Sequence, residues 1–133
     1  MTELATGSAR PGPARILVAE DEEALAMLLE AVLVGAGYSV KMASDGAEAV
    51  NQYRAPGAFD LVILDLQMPN LDGRQALARI RELDAAVRAV VLSGEPLDSL
   101  EDKPAWAEGF DAYLSKPFDN DELVRLVKGL LGR

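Results

Sequence analysis

A chain of 133 residues, half of them hydrophobic and about a quarter charged, is long enough to bury the core of one globular domain without staples. It has no cysteine and no histidine, which excludes disulfide frameworks, thiolate metal sites and imidazole bases and leaves only hard, oxygen-held metals. The net charge of -9 argues against nonspecific nucleic-acid binding, and no apolar run approaches the roughly 20 residues of a membrane span, so a cytoplasmic location is expected.

Residues 1–13 are rich in small residues, Gly and Pro without apolar period, and read as a disordered tail before a domain over residues 14–133. Arg15-Ile16-Leu17-Val18-Ala19 reads as the first strand, closed by Glu20-Asp21-Glu22. A helix from about Glu22 to Val34 follows, with Leu25, Leu28, Leu29, Val32 and Leu33 expected inward and Gly35 and Gly37 stopping it. Tyr38 to Ala43 predicts a more exposed strand. Asp45-Gly46-Ala47-Glu48 has capping-box spacing and predicts a helix to about Arg54.

The next apolar run organises the chain. The strand is expected from about Asp60 to Leu64, with Leu61-Val62-Ile63-Leu64 aliphatic on both faces, as strands inside parallel sheets are, and Asp65 closes it. The loop after it is punctuated by Pro69 and Asp72-Gly73, and a helix is predicted over Arg74–Leu83 with Ala76, Leu77 and Ile80 inward. Ala89-Val90-Val91-Leu92 reads as a fourth strand ending at Ser93-Gly94. Residues 95–109 are the least regular stretch: Pro104 restricts any helix to about Asp102–Glu108, leaving Glu95–Glu101 as a loosely ordered loop with Leu97, Leu100 and Trp106 as its large apolar groups. Ala112-Tyr113-Leu114 predicts the fifth strand, before Ser115-Lys116-Pro117. Asp119 to Glu122 again has capping-box spacing and opens a helix to about Leu130. Five strands alternating with helices define an α/β domain with a parallel sheet.

In a parallel sheet all strand carboxyl ends share one edge, so Glu20-Asp21, Asp65, Ser93 and Lys116 can converge there if their strands are neighbours. Carboxylates converging without His or Cys suit Mg²⁺. Alternatively one carboxylate can serve as a nucleophile, with the hydroxyl and ammonium binding the oxygens of a transferred phosphoryl group. Each residue also has an ordinary reading: helix-start acids, a turn serine, a solvated lysine. Four such coincidences at four strand ends are much less common than one.

The set Ile-Leu-Val-Ala-Glu-Asp-Glu, Leu-Val-Ile-Leu-Asp-Leu-Gln-Met-Pro-Asn-Leu-Asp-Gly, Val-Val-Leu-Ser-Gly and Tyr-Leu-Ser-Lys-Pro-Phe closely resembles bacterial two-component response-regulator receiver domains, from about Arg15 to Leu131. The resemblance implies a doubly wound, flavodoxin-like three-layer sandwich of five strands in order 2-1-3-4-5 with five helices. It implies that Asp65 is the phosphoacceptor, taking its phosphoryl group from a sensor histidine kinase, a phosphotransfer protein or a small donor such as acetyl phosphate. Asp21, Asp65 and the backbone carbonyl of Gln67 would hold Mg²⁺, with Glu20, where many members have Asp, reaching it through water. Ser93 and Lys116 would each bind a phosphoryl oxygen, and Tyr113 would be the aromatic switch partner of Ser93. Gln67, Gly94 and Glu95 stand where the family tunes phosphoryl lifetime, and Lys116-Pro117 stands at its cis junction. Such a domain is a signalling switch, catalysing only its own phosphorylation and dephosphorylation. Output is expected through protein contacts of the helix near residues 102–108, the Tyr113 strand and the last helix. No DNA-binding motif is seen, the starting Met modestly favours a stand-alone regulator, and a monomer or weak dimer is expected.

Three other readings are weaker. A Mg²⁺-dependent aspartyl-phosphate phosphatase usually has a second acid two residues after its nucleophile, and here that residue is Gln67. A flavin carrier needs a phosphate-cradling loop after the first strand, where Glu20-Asp21-Glu22 repels phosphate. A pseudo-receiver adaptor usually lacks one of the key residues, all of which are present.

Overall fold

The computed structural model describes residues 12–55, 57–94 and 109–132. Five parallel strands, β1 (Arg15–Ala19), β2 (Ser39–Ala43), β3 (Leu61–Asp65), β4 (Arg88–Ser93) and β5 (Ala112–Ser115), form one sheet in the order β2-β1-β3-β4-β5. The helices are α1 (Glu23–Gly35), α2 (Gly46–Arg54), α3 (Gly73–Leu83) and α4 (Asn120–Leu131). Four helices therefore stand among the described residues where five were expected. The additional helix over 102–108 and the loop over 95–101, including Leu97, Leu100 and Trp106, lie outside them. So does the predicted tail, apart from Gly12 and Pro13.

The alternation of side chains along each strand splits the core in two. Leu61 and Ile63 of β3 join Ile16, Val18, Val90 and Leu92 beneath α1 and α4, packed by Leu29, Leu33, Leu123 and Val127. Val62 and Leu64 join Leu17, Ala89 and Val91 beneath α2 and α3, packed by Val50, Ala76, Leu77 and Ile80. All five residues of β3 are buried. This is why its sequence is aliphatic without alternation: each face is covered, and burying each large side chain contributes about 2 kcal/mol.

The helix starts follow local chemistry. Asp45 and Asp119 accept hydrogen bonds from the amides of Glu48 and Glu122, each at 2.7 Å, as their spacing predicted. Asp72 and Gln75 form a reciprocal capping box that starts α3 at Gly73, one residue before the expected Arg74. That Asp-x-x-Gln spacing is visible in the sequence and was the missed signal. At α1 one burial expectation is corrected. Leu29 and Leu33 are buried and Leu25 and Val32 partly so, but Leu28 is 42% exposed, alongside Met27 and Val34. A helix apolar nearly all round does not specify its inward stripe. Docking against the sheet does, and Leu28 falls outside the stripe.

Candidate functional site

Strand register builds the site. Ala19 pairs with Leu64, so Glu20, the residue after β1, comes level with Asp65 at the end of β3. Asp65 pairs with Leu92, which sets Ser93 one step beyond it, and Ser93 pairs with Ser115, which sets Lys116 one step beyond that. Two backbone bonds carry the register past the strand ends: Leu66 N–H donates to Leu92 at 2.9 Å and Lys116 N–H to Ser93 at 2.7 Å. The Lys116–Pro117 bond is cis.

At that edge Asp65 is 5% exposed and held at both oxygens. Lys116 Nζ donates to Oδ2 at 2.9 Å, and the Gln67 amide donates to Oδ1 at 3.3 Å. Glu20, 2% exposed, accepts the Glu22 amide on Oε2 at 3.0 Å. Its Oε1 lies 3.3 Å from Lys116 Nζ, an ion-pair distance, but is buried without a hydrogen-bond partner among the described residues. Burial, chiefly, pushes the Glu20 carboxyl up to about 7, with the Asp65 charge adding to it and the Glu22 amide opposing. For Lys116, burial works to lower its pKa, but the hydrogen bond and charge of Asp65 and the charge of Glu20 outweigh it and hold the ammonium above its usual value.

Asp21 is exposed at the start of the segment leading into α1. One carboxylate oxygen from each of Glu20, Asp21 and Asp65 lies within 4.8 Å of the others. Three converging acids against one lysine, with a buried carboxylate oxygen left without a donor, fit a hard divalent cation. An open cleft of about 700 Å³ adjoins them, lined by Asp21, Leu66, Gln67, Met68, Pro69, Asp72 and Arg74. Ser93 is buried at the end of β4. Gly94 beside it is exposed and would accept a Cβ with nothing within 4 Å among the described residues. Tyr113 is half-buried and packs on the α2/α3 side of the core. Glu95 lies outside the described residues. Of the predicted residues, then, the structure brings together Glu20, Asp21, Asp65, Gln67 and Lys116, sets Ser93 at the adjacent strand end, and leaves Tyr113 on β5.

Two clusters went unread in the sequence. Arg81 of α3 donates to the carbonyls of Gly109 and Val87 and pairs with Asp111 at 3.2 Å, while Asp111 also accepts the Ala89 amide at 2.8 Å. Asn70, in the left-handed region at φ 71°, donates to Asp45 at 2.7 Å. Neither pair is foreshadowed by spacing, since 30 and 25 residues separate the partners.

A doubly wound parallel sheet whose strand ends gather acids around a lysine-paired aspartate defines an open α/β protein with a charged edge at its strand carboxyl ends, three of whose acids could hold a metal ion. Residues 16–128 match the response regulator receiver domain family, and the chain belongs to it. It is 37% identical over 122 residues to the transcriptional regulatory protein TrcR of Mycobacterium tuberculosis, covering 91% of this chain and 46% of TrcR. It is 36% identical over 115 residues to DltR of Streptococcus agalactiae, covering 86% and 50%. The chain thus spans about half the length of these curated relatives. Among solved structures it resembles the response regulator TrrA of Thermotoga maritima in complex with Mg²⁺ and beryllofluoride, at 34% identity and a TM-score of 0.78 over 89% of this chain and 99% of that one. It also resembles the receiver domain of the sensor histidine kinase PA1611 of Pseudomonas aeruginosa, which has a magnesium ion in its active-site cleft, at 29% identity and a TM-score of 0.80 over 92% and 100%.

Proposed function

We propose that residues 14–133 are a phosphorylation-dependent signalling switch whose phosphoacceptor is Asp65. The observation that carries this reading is the grip on Asp65: an ammonium on one oxygen and a backbone amide on the other, at the buried end of the central strand. Asp65 offers a carboxylate oxygen to the phosphorus of a phosphorylated histidine or a small acyl phosphate. As the new P–O bond forms, the bond to the donor's leaving atom breaks and its electron pair departs with the leaving group. Lys116, already at 2.9 Å, is the fixed charge that offsets the growing negative charge on the phosphoryl oxygens. Ser93, at the neighbouring strand end, supplies a hydroxyl to a second oxygen.

Glu20, Asp21, Asp65 and the Gln67 carbonyl would hold Mg²⁺, Glu20 through water. When bound, the ion supplies further neutralisation of phosphoryl charge. Glu20 and Asp21 keep the site attractive to the cation. Once Asp65 carries the phosphoryl group, Ser93 turns toward it and Tyr113 follows, and the surface around the β5 edge is repopulated. The switch works in the cytoplasm, with a sensor histidine kinase or phosphotransfer protein upstream and an output protein downstream. Gln67 and Glu95 orient the water that later hydrolyses the acyl phosphate, and Gly94 leaves it room. Incubation with acetyl phosphate and Mg²⁺ followed by peptide mass spectrometry tests this reading. One phosphoryl group should appear on the peptide containing Asp65 and be absent from Asp65→Asn; labelling elsewhere would overturn it.

A further inference from the structure

The loop between Asp65 and α3 is closed on itself at both ends. Gly73 N–H donates to the Leu66 carbonyl at 2.9 Å and Leu71 N–H to the Pro69 carbonyl at 2.8 Å, while Asp72 caps α3. At its tip, Asn70 takes a positive φ of 71° at the centre of the γ-turn that the Leu71–Pro69 bond closes, at a cost on the order of 1 kcal/mol for an L residue. Among the described residues it is the only non-glycine to do so. In that conformation its amide Nδ2 donates to Asp45 Oδ2 at 2.7 Å. The other oxygen of Asp45 accepts the Glu48 amide, so one carboxylate both caps α2 and grips the loop. The Glu48 amide first, and then the Asn70 amide, hold Asp45 below the usual carboxylate range, so it stays ionised. Next to it, a Cβ on Gly46 would stand 2.1 Å from the Leu71 carbonyl oxygen. Helix start and loop backbone are therefore in direct contact.

We propose that Asp45 and Asn70 form a positioning pair, through which the N-terminus of α2 holds the 67–72 loop so that the Gln67 backbone faces the acidic centre. The bond this matters to most is the one from the Gln67 amide to Asp65, at 3.3 Å the longest of those holding Asp65 and the easiest to lose. Gln67 lies three residues before Asn70, within the same closed loop. Slack at the tip therefore reaches both its amide and its carbonyl. The inference rests on the proposed roles of Asp65 and Gln67 and assigns α2 a part in their geometry.

The test compares wild type with Asn70→Gly, which relieves the backbone but removes the amide, and with Asp45→Ser, which keeps a helix cap but shortens the reach. Asp45→Asn keeps one acceptor for the cap but sets an NH2 donor against the Asn70 amide. Amide exchange over 66–73 is measured without metal, and half-saturating Mg²⁺ is measured by thermal shift. Asn70→Gly and Asp45→Ser should speed exchange and raise half-saturating Mg²⁺ about tenfold, at the low end for outer-shell partners. The double variant should be no worse than either single, and Asp45→Asn should follow Asp45→Ser, since two donors then face each other. Unchanged Mg²⁺ half-saturation, whether or not exchange or melting temperature moves, overturns the proposal. If wild type itself fails to respond to Mg²⁺ or to acquire phosphate on Asp65, the parent reading fails, whereas loop exchange still reports on the pair.

Discussion

Lys116 Nζ stands between two buried carboxylates, 2.9 Å from Asp65 and 3.3 Å from Glu20, and is the one cation within ion-pair distance of either among the described residues. Its removal leaves two acids facing each other at low exposure. Lys116→Met should therefore lower stability by about 2–3 kcal/mol, less than a fully buried pair because the lysine is a quarter exposed. It should also abolish phosphorylation. Chemical denaturation and acetyl phosphate labelling read the two effects separately. An Asp65→Asn, Lys116→Met double variant should recover part of the stability but none of the labelling.

Glu20 gives the metal-free protein a defined pH response. Its folded pKa, about 7, is raised above the ordinary value of 4.5, so between those limits the folded state binds more protons than the unfolded one. The stability it contributes is complete below pH 4.5 and lost as pH rises through 7. Glu20→Gln should flatten that descent. At the proposed metal site added Mg²⁺ would compete with the same proton, so its stabilising effect should grow from pH 4.5 to about 7 in wild type, and less so in Glu20→Gln. Melting temperatures across pH, with and without Mg²⁺, check both.

Two glycines should respond oppositely to alanine. At Gly46 the new methyl meets the Leu71 carbonyl oxygen, and Gly46→Ala should cost about 2 kcal/mol or more, since backbone would have to move. Gly129, inside α4 with open space around it, should gain about 0.5–1 kcal/mol as alanine. Urea midpoints of the two variants decide this.

Arg81 ties α3 to the carbonyls of Val87 and Gly109 and to Asp111, which itself holds the Ala89 amide at the start of β4. Arg81→Ala should cost about 1–3 kcal/mol through acceptors left without a donor. Amide exchange should rise first at Ala89 and Asp111 rather than across the sheet.

Phosphoryl lifetime follows from what surrounds Asp65. On the proposed roles of Gln67 and Glu95 in positioning a water, with Gly94 open among the described residues, the acyl phosphate should last seconds to minutes rather than hours. A Gln67→Ala, Glu95→Ala variant should hold its phosphate longer, as followed by mass spectrometry after donor removal. An unchanged decay would assign water positioning to other groups.

What the sequence determined by itself is local. Leu61 to Leu64 announce a strand covered on both faces because no solvent-facing position interrupts them. Asp45 and Asp119 announce helix starts because a carboxylate reaches the amide three residues on, whatever the rest of the chain does. The identities of Glu20, Asp21, Asp65, Ser93 and Lys116, each at a strand's carboxyl end, follow the same way. Their meeting does not. It depends on β3 lying between β1 and β4, an order that no periodicity encodes and that only the family resemblance supplied. Tertiary structure also chose which stripe of α1 turned inward, leaving Leu28 out. It alone joined Asn70 to Asp45 and Arg81 to Asp111, because a hydrogen bond across 25 or 30 residues is set by how whole elements pack, not by the residues beside it.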